Sequence, residues 1–175
     1  MNRVLILIFV IFAAYSEIKF DGNVGLDEWA AAEKHTIDYE IAPSYNTAAE
    51  HLTEAFITHD DKYIYVAFKA YGNKEYIRAN IRSRDGIAWQ NDHVVVGIDT
   101  FGDGRYYIGF GVNPIGSIYD FKATGFDDDP DRSYNIEFDA YANLTDYGYQ
   151  AEIRIPFTSL NLSLIHISEP TRRVR

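Results

Sequence analysis

The chain contains no cysteine. That absence excludes a disulfide framework, a thiolate nucleophile and a lipidated N-terminal cysteine. Basic side chains are also scarce, with 16 Lys and Arg against 26 Asp and Glu and a net charge of −10. A phosphate backbone needs cationic neutralisation, so nucleic acid is not an expected partner. The same acidity suits solubility, a cation site or a neutral ligand. No long segment shows helical periodicity, and no apolar run reaches the ~20 residues that cross a bilayer as a helix. There is no G-x-S-x-G elbow. His35, His51, His59 and His93 show no metal-ligand spacing. Gly109-Phe-Gly111 with Gly116 superficially suggests a phosphate loop, but no helix pattern follows, so these read as strand glycines.

Aromatic residues, by contrast, are abundant, at 15% of the chain with 14 Tyr and 11 Phe. Flat rings pack well on a pleated sheet and can also stack on a ligand. The two ends are expected to lie outside the folded unit. Residues 1–16 read as a secretory signal: Arg3 supplies the positive start, Val4 to Ala14 the apolar core, and Ala14-Tyr15-Ser16 the small residues before a cut at Glu17. Residues 162–175 include Leu-Ser-Leu-Ile-His-Ile-Ser-Glu-Pro-Thr-Arg. That run reads as the translation of a transposase adapter used in preparing sequencing libraries, hence as a non-native tail of a truncated gene. The stretch between, 17–161, is expected to be one domain of about 145 residues, large enough to be held together by its own core.

Within it, strand signals recur. Thr36–Ile41 alternates, with Ile37, Tyr39 and Ile41 on one face. Thr53–Thr58 and Tyr63–Phe68 flank the polar turn His59–Lys62 and read as a hairpin. Asp92–Asp99, Arg105–Val112 and Ser117–Lys122 follow, separated by Gly-rich turns. Tyr134–Leu144 alternates with Ile136 and Phe138 inward, and Tyr149–Ile155 closes the series. Short helical turns are expected at Leu26–Ala32 and Asn73–Ile77. Many short strands with intervening turns predict an all-β, antiparallel β-sandwich, immunoglobulin-like or jelly-roll-like.

Three ordered segments resemble carbohydrate-binding module family 9. They are Ile18-Lys-Phe-Asp21-Gly22 with Leu26-Asp-Glu-Trp29 and Ala32, then Asp92–Asp99, then Glu152-Ile-Arg-Ile-Pro156-Phe157 with Leu160. Arg84-Asp85, Asp99-Thr-Phe101, Asn113-Pro-Ile-Gly116 and Asp120 are similar to the version found at the N-terminus of outer-membrane β-barrel proteins of Bacteroidetes type. That version usually has a Trp-rich stretch where Tyr134-Asn-Ile-Glu stands here. The resemblance implies polysaccharide or oligosaccharide binding and frequent stabilisation by calcium. It also implies an exported protein of a Gram-negative periplasm, outer membrane or cell surface, with a β-barrel or catalytic domain downstream.

Two local constellations could carry chemistry. Trp89 offers a face for a sugar ring, and Gln90, Asn91 and Asp92 offer partners for its hydroxyls. A Trp that merely covers the end of a sandwich is the alternative. Asp127, Asp128, Asp129 and Asp131 form a carboxylate-dense loop able to supply oxygens to calcium, although a solvated acidic loop explains it equally. Trp29 is expected to plug the core edge, and Glu152 to face outward on the last strand. Three functions remain open: a non-catalytic carbohydrate-binding domain, a structural accessory of a β-barrel protein, or a fragment of a glycoside hydrolase that has lost its catalytic part. The domain is expected to be monomeric.

Overall fold

Alternating apolar residues bury one face of the central strands, and two sheets bring those faces together. The computed structural model describes residues 17–41, 45–81, 84, 90–124 and 130–160. Among the described residues, eight strands run in chain order: β1 Glu33–Glu40, β2 Thr47–His59, β3 Tyr63–Tyr71, β4 Val94–Ile98, β5 Tyr106–Val112, β6 Ile118–Thr124, β7 Asp139–Thr145 and β8 Gly148–Pro156. They form a five-stranded sheet in the order β1-β2-β3-β8-β7 and a three-stranded sheet β4-β5-β6. Every pairing is antiparallel. The expected sandwich is therefore present.

Its core follows the period of two. Val66, Phe68 and Ala70 on β3 join Ala151, Ile153 and Ile155 on β8. They meet Ile108, Phe110 and Val112 from β5, with Ile136, Phe138 and Leu160 closing the ends. Phe110 and Phe138 contact edge to face, 5.2 Å between centroids. The β2–β3 turn is built by Asp60, whose Oδ1 accepts the amides of Lys62 and Tyr63 at 2.7 Å each.

Three expectations change. β1 spans Glu33–Glu40, and Ile37, Tyr39 and Ile41 are all exposed. β1 is an edge strand, so alternation there marks no buried face. β2 begins at Thr47, earlier than its apolar pattern suggests, because it follows β1 through a register shift between Ile37 and Tyr39. Residues 134–138 alternate as expected, with Ile136 and Phe138 buried, but the strand starts only at Asp139. The reason is polar: the Ile136 amide donates to the Asp120 carboxylate at 2.5 Å instead of to a ladder.

The outer face of the five-stranded sheet is not left to solvent. Residues 18–32 lie across it, and Val24 and Trp29 pack on Phe56 and Ala67. Trp29 sits in a turn where its amide donates to the Gly25 carbonyl at 3.2 Å, and it is 2% exposed. Glu152 does face away from the sandwich interior, as its register opposite Ala67 requires. It is nevertheless fully buried. Its Oε2 accepts the amides of Asp21 at 2.9 Å and Gly22 at 2.7 Å, and its Oε1 accepts the Trp29 indole N–H at 3.1 Å. Gly22 has φ +83°, and a Cβ there would come within 3.2 Å of the Ala142 backbone nitrogen, so the close approach requires glycine.

Candidate functional site

The described residues on either side of Trp89 in the sequence are anchored. On one side, the Arg84 guanidinium donates to Asp120 Oδ1 at 2.7 Å and to the Ile136 carbonyl, and it lies over the Phe138 ring. Asp120 is 1% exposed and points into the sandwich, opposite Phe110. On the other side, Asn91 is buried, and its side-chain oxygen accepts the Asn80 amide at 2.9 Å and the Asn80 side-chain N–H at 3.1 Å. Asn113 donates in turn to the Asn80 carbonyl at 3.0 Å. Asp92 pairs with Arg78 twice, through its own amide to the Arg78 carbonyl and through Oδ2 to the Arg78 amide at 2.6 Å. Trp89 itself lies outside the described residues.

Two open clefts lie at the Asn91 and Asp92 anchor. One, of 320 Å³, is lined by Tyr76, Arg78, Gln90, Asn91 and Asp92. The other, of 230 Å³, adjoins it at Tyr76 and Asp92. Gln90 and Asp92 are exposed on the first, whereas the Asn91 oxygen is spent on Asn80. The structure thus brings Gln90, Asn91 and Asp92 to one cleft. Tyr76, Arg78 and Tyr71 were not singled out from the sequence. Tyr is so common here that only the fold distinguishes the ones that converge.

The outer face of the three-stranded sheet carries a second aromatic group. Tyr119 and Phe121 lie nearly parallel, 12° between planes and 6.3 Å between centroids. A Cβ on Gly111 would reach within 2.2 Å of the Tyr119 ring, and one on Gly109 within 2.3 Å of Phe121, so these strand glycines make room for flat rings. Both rings are buried, and burial pushes the Tyr119 hydroxyl well above its ordinary value.

The acidic loop is represented only in part. Asp127, Asp128 and Asp129 lie outside the described residues. Asp131 Oδ1 accepts the Ser133 amide at 2.9 Å and the Ser133 hydroxyl at 2.6 Å, which holds its carboxyl below the usual range. Among the described residues, no three His, Asp or Glu side chains converge as a metal site.

The sandwich and its covered outer face define a class of fold, that of family 9 carbohydrate-binding modules. A module of that family from Caldicellulosiruptor kristjanssonii, solved in complex with cellotriose, superposes with a TM-score of 0.53 at 22% identity, over 81% of this chain and 64% of that one. A protein of Bacteroides uniformis that carries a provisional carbohydrate-binding description superposes at 0.56 and 16% identity, over 77% of this chain and 64% of that one. The chain thus spans less than two thirds of the length of either structure. No family model matches the chain, and no curated protein matches it.

Proposed function

We propose that this chain is a non-catalytic carbohydrate-binding domain of a larger exported protein, and that it takes a neutral polysaccharide or oligosaccharide beside Trp89. The observation that carries the reading is the open cleft of Tyr76, Arg78, Gln90 and Asp92, which includes the sequence neighbour of Trp89, on the fold of a family 9 module. Aromatic faces stack on the C–H face of a sugar, while guanidinium, amide and carboxylate groups take its hydroxyls. Asn91 and Asp92 are themselves held by Asn80 and Arg78, so these two residues of the cleft lose little freedom on binding.

Calorimetric titration with cellotriose and with xylan oligosaccharides tests it. Trp89→Ala is expected to weaken binding by about 1–3 kcal/mol, by analogy with base stacking, and to leave the melting temperature unchanged. Full binding by the variant would move the site elsewhere.

One observation favours a structural accessory role instead. The Asp21-Gly22…Trp29 and Glu152 motifs bury each other, so they account for the fold without any ligand. Absence of heat with every glycan would leave that reading. For the loop Asp127–Asp131 the proposal is calcium held by its carboxylates. Calcium is then expected to raise the melting temperature by mass action, and an identical melt in chelator would refute it.

A further inference from the structure

We propose that the two clefts beside Tyr76 form one groove for consecutive units of a neutral glycan chain, with a second unit lodged between His51, Tyr71, Tyr76 and Tyr149. The inference rests on the carbohydrate reading above and extends it to a subsite on the far side of Tyr76. The clefts share two walls, Tyr76 and Asp92, and measure 320 and 230 Å³. Singly they lie at or below the low end of the ~300–1,000 Å³ usual for a ligand pocket, and joined they fall inside it.

The shared walls are fixed in place. Tyr76 ends the 3-10 turn Lys74–Tyr76, which Asn73 caps by accepting the Glu75 amide at 3.0 Å. The Tyr76 amide donates to the Asn73 carbonyl at 3.0 Å, yet the residue is 78% exposed. A rigid turn therefore presents a ring to solvent between two concavities. The Asp92 carboxylate is held by the Arg78 amide. On the far side, the Tyr71 hydroxyl donates to Glu54 Oε2 at 2.9 Å, and its ring meets Tyr147 at 5.2 Å. The Asp92 and Tyr71 side chains therefore have little freedom left to lose when a ligand arrives.

The chemistry of the second cleft selects the ligand class. An imidazole, the Thr53 hydroxyl and tyrosine hydroxyls mix donors and acceptors around apolar rings, which suits a polyol. Burial and the Asp92 carboxylate push the Tyr149 hydroxyl up, so it stays a donor. Asp92 in the wall and a net charge of −10 disfavour uronic or sulfated chains.

Calorimetry of the whole chain with cello-oligosaccharides of increasing length, from the disaccharide upward, tests the groove. The wild type is expected to gain affinity beyond the disaccharide. His51→Ala and the cleft-filling Thr53→Trp are expected to lose that gain, about fivefold or more, while binding the disaccharide as before. Trp89→Ala is expected to weaken every length alike. Wild-type affinity of both cleft variants for all lengths would overturn the groove and leave the carbohydrate reading standing. Absence of heat with every length would overturn both. His51 is exposed, so its variant remains informative even where Thr53→Trp lowers the melting temperature.

Discussion

Glu152 joins the beginning of the domain to its last strand, and its ionisation sets a pH dependence. Burial raises its carboxyl to about 7, against the opposing pull of the Gly22, Trp29 and Asp21 N–H groups, and the neighbouring Glu28 charge adds to the rise. The folded state therefore holds this proton more tightly than the unfolded chain does. The contribution is complete below the unfolded value of 4.5, declines between 4.5 and about 7, and is gone above it. Melting temperature is expected to fall from pH 5 to pH 8, with up to about 3 kcal/mol tied to this one group. Glu152→Gln should flatten that slope, and an unchanged slope would assign the effect elsewhere. Trp29→Ala is expected to cost about 3–5 kcal/mol, read by denaturant unfolding, because it opens a cavity and strips one donor from Glu152. Trp29 was legible as a plug from its size and its turn. Glu152 was legible as outward from its period. What covers it was not, because alternation names a face but never the segment lying on it.

Among the elements, β1 and the approach to β7 separate pattern from partner. β1 alternates well, yet as an outer strand of its sheet it leaves Ile37 and Tyr39 exposed. Ile37→Ser is expected to change unfolding free energy by less than about 0.5 kcal/mol, and a core-sized loss would mean that another surface covers it. Lys34 and the register shift after Ile37 blunt this edge against further pairing. Residues 134–138 show the reverse case, where inward residues were identified correctly but the backbone belongs to Asp120 and Arg84. Both residues stand in the family resemblance, but nothing in the sequence paired them, since residues 36 apart carry no periodic signal. Arg84→Ala leaves the Asp120 carboxylate buried without its cation and is expected to destabilise by about 3–5 kcal/mol. Arg84→Met with Asp120→Leu should recover much of that loss, and failure to do so would argue for a role beyond charge balance.

At the scale of the whole molecule, turn chemistry and strand period made the sandwich readable, whereas the clefts beside Tyr76 needed the fold to bring residues 51, 76, 92 and 149 together. Deleting residues 162–175 is expected to leave the melting temperature unchanged, and a large drop would make that tail part of the domain. The contacts of Glu152 with Asp21, Gly22 and Trp29 span separations of 131, 130 and 123 residues. Loops of that length close late and raise contact order. A chain emerging N-terminus first therefore carries Trp29 without its partner until β8 has been delivered. Until then the growing polypeptide lacks its clasp, so the fastening of this domain is timed by the arrival of β8.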